Sequence, residues 1–428
     1  MKKSLIFTIL FCIVNIQTQT KKITLDEALE IALSKNTQIF SARNNFRGTK
    51  SGLIFAYGGL LPTLTSSTGN SETQNHTLIA GDNTTKNFST SISSRVVLFD
   101  GFANTSDINK ANANIASAEF GLKRIVQSVI FETKRRYLQV LRNASLLKVS
   151  QENLKRSQQQ LQRITEINKV GAAPKADVYR QQVATANDEL ALIRVENNYK
   201  NSKADLLYYI SLSPDEDFDY VSPNIDDELK SISNKKIKSY NELVNRAIEI
   251  RPDYLASIAN KESAESDKTI ARAGFYPTVS ANGSYTLSDK KFSTINDNTT
   301  FNWGLTFSVP IFSGFATNYA IEIADVKFQN TEEESNQTKR QVQVDIRKAL
   351  LDFESTLKEL EVTEKNILSA QEDLRIADER YKLGANTLLD LLVASTNFVR
   401  AQSDKINAQY NYLTVKEQLN FAVGESIY

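Results

Sequence analysis

Leu98-Phe99-Asp100-Gly101-Phe102 returns as Ile311-Phe312-Ser313-Gly314-Phe315, 213 residues further along the chain. Val170-Gly171-Ala172-Ala173 returns as Leu383-Gly384-Ala385-Asn386 at the same spacing, and Leu61-Pro62-Thr63 as Tyr276-Pro277-Thr278 at 215. One offset kept over so long a stretch makes the chain a tandem duplication, and each half is read against the other.

Composition removes several classes of function. Charge is balanced, 51 basic residues against 50 acidic, so there is no basic excess for nucleic acid. The one cysteine, Cys12, rules out a disulfide within the chain. His76, the one histidine, lies in the polar stretch 72–87 and reads as a solvated loop residue. No catalytic set, metal site or cofactor motif is found. The chain is not expected to be an enzyme.

Residues 1–20 read as an export signal. Lys2 and Lys3 precede an apolar run from Leu5 to Ile16 and then polar Gln17 to Thr20. That run, with Cys12 inside it, is shorter than the ~20 residues of a membrane helix. No later stretch of the sequence is apolar for long enough to form one.

Each half is expected to run medium helix, two strands, very long helix, tight turn, return helix. Repeat 1 covers 21–210, with strands at about 62–99 and a tip turn at 170–174. Residues 211–239, with Pro214 and Pro223, form a linker expected to lie as a belt outside the helices. Repeat 2 covers 240–428, with strands at about 277–311 and a tip turn at 383–387. Ala316 to Lys382 holds neither proline nor glycine, enough for ~67 residues or ~100 Å of helix. Its apolar positions recur every seven at Ile346, Phe353, Leu360, Ile367, Leu374 and Tyr381. Val140, Leu147, Leu154 and Leu161 repeat them in the first half, and a sustained seven-residue period means coiled-coil packing. Pro174–Ile210 and Thr387–Val423 read as return helices, and Ile23–Ala56 and Ser239–Ala273 as one further helical segment per half.

The strands carry a membrane signature. Val279, Ala281, Gly283, Tyr285 and Leu287 alternate with polar residues, as do Phe301, Trp303, Leu305, Phe307 and Val309. About ten residues of period two is the length and pattern of a lipid-facing strand. Val279, Tyr285, Leu287, Phe301, Trp303, Leu305, Phe307 and Val309 are therefore expected on outer-membrane lipid, with 289–300 as a polar hairpin loop. In hydrocarbon every backbone amide must be paired, so a sheet spans only as a closed barrel. Four strands cannot close one, and copies of the chain must combine: two would give eight strands, three would give twelve.

At this point the sequence resembles the TolC-like outer-membrane efflux and secretion channels over nearly all of its length after residue 20. The resemblance rests on the duplication and on Val309-Pro310-Ile311-Phe312-Ser313-Gly314-Phe315. It rests also on Arg380-Tyr381-Lys382-Leu383-Gly384, with Asp390 six residues beyond the glycine. It implies an α+β membrane protein: a homotrimer sharing a 12-stranded barrel, four transmembrane β-strands per chain, above a long periplasmic coiled-coil α-helical tunnel. It implies docking to a periplasmic adaptor protein and an inner-membrane pump of RND, ABC or MFS type. The tips Val170-Gly171-Ala172 and Leu383-Gly384-Ala385 would receive the adaptor. Asp177 and Tyr381 would link across the closed tip, and Asp390 would form a ring of carboxylates at the entrance. Two positions depart from the family: Asn386 replaces an Arg of the tip link, and Val393 replaces a second acidic ring. Tyr381 equally suits the packing seam, and Thr387 to Asp390 has the spacing of a helix capping box.

The function this implies is a passive outer-membrane exit duct of a tripartite efflux or type I secretion system. An exported coiled-coil stalk would explain the heptads but not the duplicated tips. A periplasmic adaptor would not explain the aromatic strand face. Cargo is not legible in the residues.

Overall fold

A computed structural model describes residues 21–77, 81–222 and 239–425. The expected signal at 1–20 and the linker stretch 223–238 lie outside the described residues. The described chain forms two compact units, one from residues 21–34, 133–222 and 359–411, the other from 35–132, 239–358 and 412–425.

The elements are β1 (Lys21–Ile23), α1 (Leu25–Lys35), α2 (Thr37–Gly58), β2 (Thr63–Thr77), β3 (Gly81–Phe99), α3 (Ala103–Lys169), α4 (Lys175–Tyr209) and β4 (Phe218–Tyr220). The second half adds α5 (Tyr240–Ile250), α6 (Pro252–Arg272), β5 (Thr278–Asp289), β6 (Thr299–Ser308), α7 (Ala316–Lys382) and α8 (Leu388–Val423). Helices α3 and α7 are each 67 residues long. No helix among the described residues is long and apolar enough to cross a membrane.

Two expected helices are each broken in two. Ile23–Ala56 divides at Asn36, whose extended backbone (ψ 128°) lets its side chain accept from the Gln38 N–H at 2.8 Å and start a new helix. Ser239–Ala273 divides at Arg251, because Pro252 at the first helical position holds the preceding residue extended (ψ 117°). The 289–300 segment is more ordered than a polar loop, with a 3₁₀ turn at Phe292–Asp297 before the strand resumes at Thr299.

In the first unit, β1 and β4 form a parallel pair beside Tyr137, which is fully buried. The Tyr137 hydroxyl lies 2.9 Å from the Ile23 carbonyl and 2.8 Å from that of Val221. Burial pushes this phenol up to about 12, so it remains a donor at neutral pH. Along the helices the seven-residue seam turns inward: Val140 is buried, Leu147, Leu154, Leu161, Leu360, Ile367 and Leu374 are half-buried, and Ala370 and Ala377, each three residues beyond a seam position, are buried beside them.

In the second unit, Leu243, Val244 and Ala247 of α5 pack with Val342, Ile346, Ala349 and Leu350 of α7 and with Ala422 and Val423 of α8. A charged clamp sits beside this core. The Arg251 Nε lies 2.9 and 3.1 Å from the two oxygens of Asp253, Nη2 reaches Asp253 and Asp345 at 2.9 and 2.6 Å, and Nη1 donates to the Ala422 carbonyl at 3.0 Å. Arg124 donates to the Phe421 carbonyl and Gln127 to that of Gly424, so side chains satisfy carbonyls that the end of α8 leaves open. Asp267 joins α6 to both long helices, accepting Lys110 and Lys327 at 2.7 Å each.

The strands of this unit form one antiparallel sheet in the order β2-β3-β5-β6. The outer edges of β2 and β6 have no strand partner among the described residues. Sheet meets helix through two matching corners, where Gly101 and Phe102, then Gly314 and Phe315, take positive φ of 70°, 72°, 62° and 65°. Left-handed backbone is costly for phenylalanine. Each is braced by an edge-to-face partner three residues earlier, Phe99 at 5.4 Å and Phe312 at 5.7 Å.

Candidate functional site

In the first unit the two helical tips are copies of one turn. The Gly171 N–H donates to the Asn168 carbonyl at 2.9 Å and Ala172 to Ile167 at 3.0 Å. Gly384 donates to Tyr381 at 3.0 Å and Ala385 to Arg380 at 2.8 Å. This paired bonding closes a helix and requires its first residue beyond the end to be left-handed, and Gly171 (φ 77°) and Gly384 (φ 72°) are so. Nothing lies within 4 Å of where a Cβ would stand on either glycine. Val170, Gly171, Ala172, Leu383, Gly384 and Ala385 are all exposed, giving two small-residue knuckles with open surface above them.

The three candidate gate residues divide into two kinds. Asp177 and Asp390 occupy the same position in the two repeats, 213 residues apart, three residues into their helices. Asp390 is spent locally: its Oδ2 accepts from the Thr387 N–H at 3.0 Å and the Thr387 hydroxyl at 2.7 Å, while its own N–H returns to Thr387 Oγ1 at 3.3 Å. Those bonds hold its carboxyl below the usual range. This is a capping box, with aspartate in the usual glutamate place. In repeat 1 the cap position is Pro174, which has no side-chain donor to offer. Asp177 therefore turns to Arg180, at 2.9 Å. Tyr381 packs half-buried with Leu374 against Ala377, Leu391 and Ala394. Burial first, then the nearby Asp177 carboxylate, raises its phenol, against an opposing pull from Arg163. The Tyr381 phenol thus feels the Asp177 charge, and its seam position is also a packing position.

In the second unit the apolar strand positions share one face. Pairs run Val279 with Phe307, Ala281 with Leu305, Gly283 with Trp303 and Tyr285 with Phe301, and Ile92 extends the last row onto β3. Phe301, Trp303, Leu305 and Phe307 are 66–77% exposed, and Tyr285 is exposed. Val279 and Leu287 are half-buried, and exposed Val309 lies one residue beyond the end of β6. The opposite face is polar: Ser67 bonds Ser91 at 2.8 Å, and Asn282 donates to Thr306 at 3.0 Å. The β5–β6 part of the sheet thus carries bulky apolar groups on one side and hydroxyls and amides on the other, while on β2 and β3 Thr68 and Thr90 share the face of Ile92. The arrangement around Arg251 and the shared position of Asp177 and Asp390 escaped the sequence reading, although the 213-residue offset was sufficient to find the latter.

The chain is 24% identical over 315 residues to the outer membrane protein TolC of Salmonella enteritidis, a match covering 70% of this chain and 61% of that protein. The chain thus spans under two-thirds of the length of that relative. It is 21% identical over 406 residues to the outer membrane efflux protein BepC of Brucella suis, covering 94% of this chain and 85% of that one. Among solved structures, the CmeC outer membrane channel of Campylobacter jejuni superposes with a TM-score of 0.83 at 18% identity, covering 94% and 86% of the two chains. VceC of Vibrio cholerae gives 0.81 at 18%, covering 94% and 96%. At these identities the superpositions show a common fold. The outer membrane efflux protein family matches residues 28–210 and 243–425, one match for each half, and this chain belongs to that family of outer-membrane proteins.

Proposed function

We propose that this chain is the outer-membrane exit duct of a tripartite export system, a passive channel rather than an enzyme. The observation that carries the reading is the four-stranded sheet, whose β5–β6 part is apolar on one face and polar on the other, and whose two edges have no strand partner among the described residues. Strands alternate in direction across it, so β6 of one copy can pair antiparallel with β2 of the next. Three copies give twelve strands, enough for a water-filled lumen, whereas eight would be plugged by their own side chains. The barrel would carry the Ser, Thr and Asn face inward. The glycine knuckles at 171 and 384 suit close approach of a partner backbone, as needed by a periplasmic adaptor connecting to an inner-membrane pump. Asp177 and Tyr381 hold the tips closed in this reading, and Asp390 narrows the entrance through its threefold copies.

Native mass of the purified protein, with the detergent contribution subtracted, tests the assembly, and planar-bilayer recording tests the duct. Three chains and discrete conductance steps are expected. A monomer that stays in solution without detergent and passes no current would end this reading.

A further inference from the structure

Strand register assigns every residue of the four-stranded sheet to one of two faces. Thr63 on β2 lies opposite Arg95 on β3, Arg95 opposite Asn282 on β5, and Asn282 opposite Gly304 on β6. Side chains alternate between faces along a strand, so this row and every second residue from it make up the polar face. On β2, β5 and β6 those positions hold only Ser, Thr, Asn and Gly. On β3 they add Val97 and Arg95. The remaining charged strand positions, 72, 82, 86 and 289, all have the other parity. Arg95 is therefore the one charged residue of the polar face among the described residues.

Its charge is not neutralised by neighbours. Arg95 is exposed and forms no ion pair among the described residues. The nearest acidic position along the strands is Asp289, opposite Phe88 and so about seven residues or ~24 Å from Arg95 along β3. Past the end of β3, Asp100 is committed to the Asn104 N–H at 2.9 Å. With Thr65, Ser93, Asn282, Ser284 and Asn302, Arg95 lines a hollow of about 410 Å³ on the polar face. The duplication does not repeat the charge, since the residue 213 further on is Ser308. Each chain thus contributes one guanidinium.

We propose that three copies of Arg95 form a basic ring in the barrel lumen that favours anionic cargo. This rests on the exit-duct reading above and adds to it a class of substrate. Twelve strands ~4.8 Å apart and tilted ~40° enclose a barrel ~24 Å across. A guanidinium reaching inward from that wall lies ~8 Å from the axis, inside the ~10 Å Debye length of 0.1 M salt. Three such charges in water enrich a univalent anion on the axis about threefold and a divalent one about tenfold, depleting cations in proportion. The lumen then passes organic anions more readily the more charge they carry.

Planar-bilayer recording of the purified full chain in a KCl gradient about 0.1 M reads the chloride-to-potassium permeability ratio from the reversal potential. Arg95→Gln should lower that ratio at least about twofold, Arg95→Glu should lower it further, and Arg95→Lys should retain it. Near ~1 M KCl, where the Debye length is ~3 Å, the difference between Arg95→Gln and the unaltered chain should close. Asn282→Asp sets a carboxylate opposite Arg95 and should reproduce the loss with the arginine kept; it decides the matter if Arg95→Gln does not assemble. The threefold copies of Asp390 act alike in every variant, so the change in ratio is the readout. An unchanged ratio in conducting Arg95→Gln or Asn282→Asp channels, an equal loss in Arg95→Lys, or a difference that persists at high salt overturns the ring and leaves the duct. An unaltered chain that passes no current overturns both.

Discussion

Replacing Arg251 with methionine asks whether charge, rather than packing alone, holds the end of α8. The Arg251 side chain is 4% exposed and bonds Asp253, Asp345 and the Ala422 carbonyl. Methionine keeps much of the aliphatic volume and supplies none of the donors. Breaking a buried pair from one side costs about 3–5 kcal/mol, because the surviving charge is left uncompensated. Asp253 and Asp345 are each 31% exposed, and Arg124 remains 3.6 Å from Asp253, so the electrostatic loss falls at the low end. The unmet carbonyl of Ala422 adds about 1 kcal/mol. The sum, about 4 kcal/mol, corresponds to roughly 10³-fold faster opening of this segment. Amide hydrogen exchange over residues 412–424, read by mass spectrometry, measures that opening directly. Adding Asp253→Asn and Asp345→Asn should recover about half the loss, since no bare carboxylate then remains. A loss under about 1 kcal/mol, or no recovery in the triple variant, would refute the electrostatic account. It would assign the anchoring to Leu243, Val244 and Val423 instead.

Three other outcomes follow from the same structure. Tyr381→Phe combined with Asp177→Ala should raise single-channel conductance, and an unchanged conductance removes the gate assignment from these two residues. Gly384→Val should destabilise its tip by about 1–2 kcal/mol through the left-handed backbone alone, since open space surrounds the new side chain; Gly384→Asn should cost less, and exchange protection around residue 380 ranks the two. Burial alone would raise the Asp267 carboxyl, but Lys110 and Lys327 outweigh it and hold it below the usual range. A carboxyl lowered on folding contributes fully above its unfolded value of about 3.9 and loses that contribution as pH falls through the folded value. Asp267→Asn should therefore melt earlier than the unaltered protein at pH 7, with the difference closing below about pH 4.

Much of the fold is legible in the sequence where one physical rule acts without competition. Helix α7 runs from Ala316 to Lys382 because no proline or glycine interrupts it and Gly384 ends it. The strand face shows through Phe301, Trp303, Leu305 and Phe307, since period two has no helical explanation. The break at Arg251 is signalled by Pro252, which disfavours helical backbone in the residue before it. At Asn36 the signal was one asparagine among many. The Arg251 clamp was not readable at all, since Asp345 and Ala422 lie far along the chain and only the fold brings them together. For Asp177 and Asp390 the residue type was readable, whereas the division of labour depended on proline against threonine at the preceding cap.

The open edges of β2 and β6 also set a kinetic order. The helices close their own hydrogen bonds, so their formation is first-order in chain. In the proposed duct the sheet completes its backbone pairing only with other copies of the chain, so its final step waits for them to arrive. Diluting newly made chains should slow sheet completion while leaving helix formation untouched. A chain waiting in that interval exposes two strand edges to any other extended peptide. Speed of encounter, as much as stability, then governs how many chains reach the finished state.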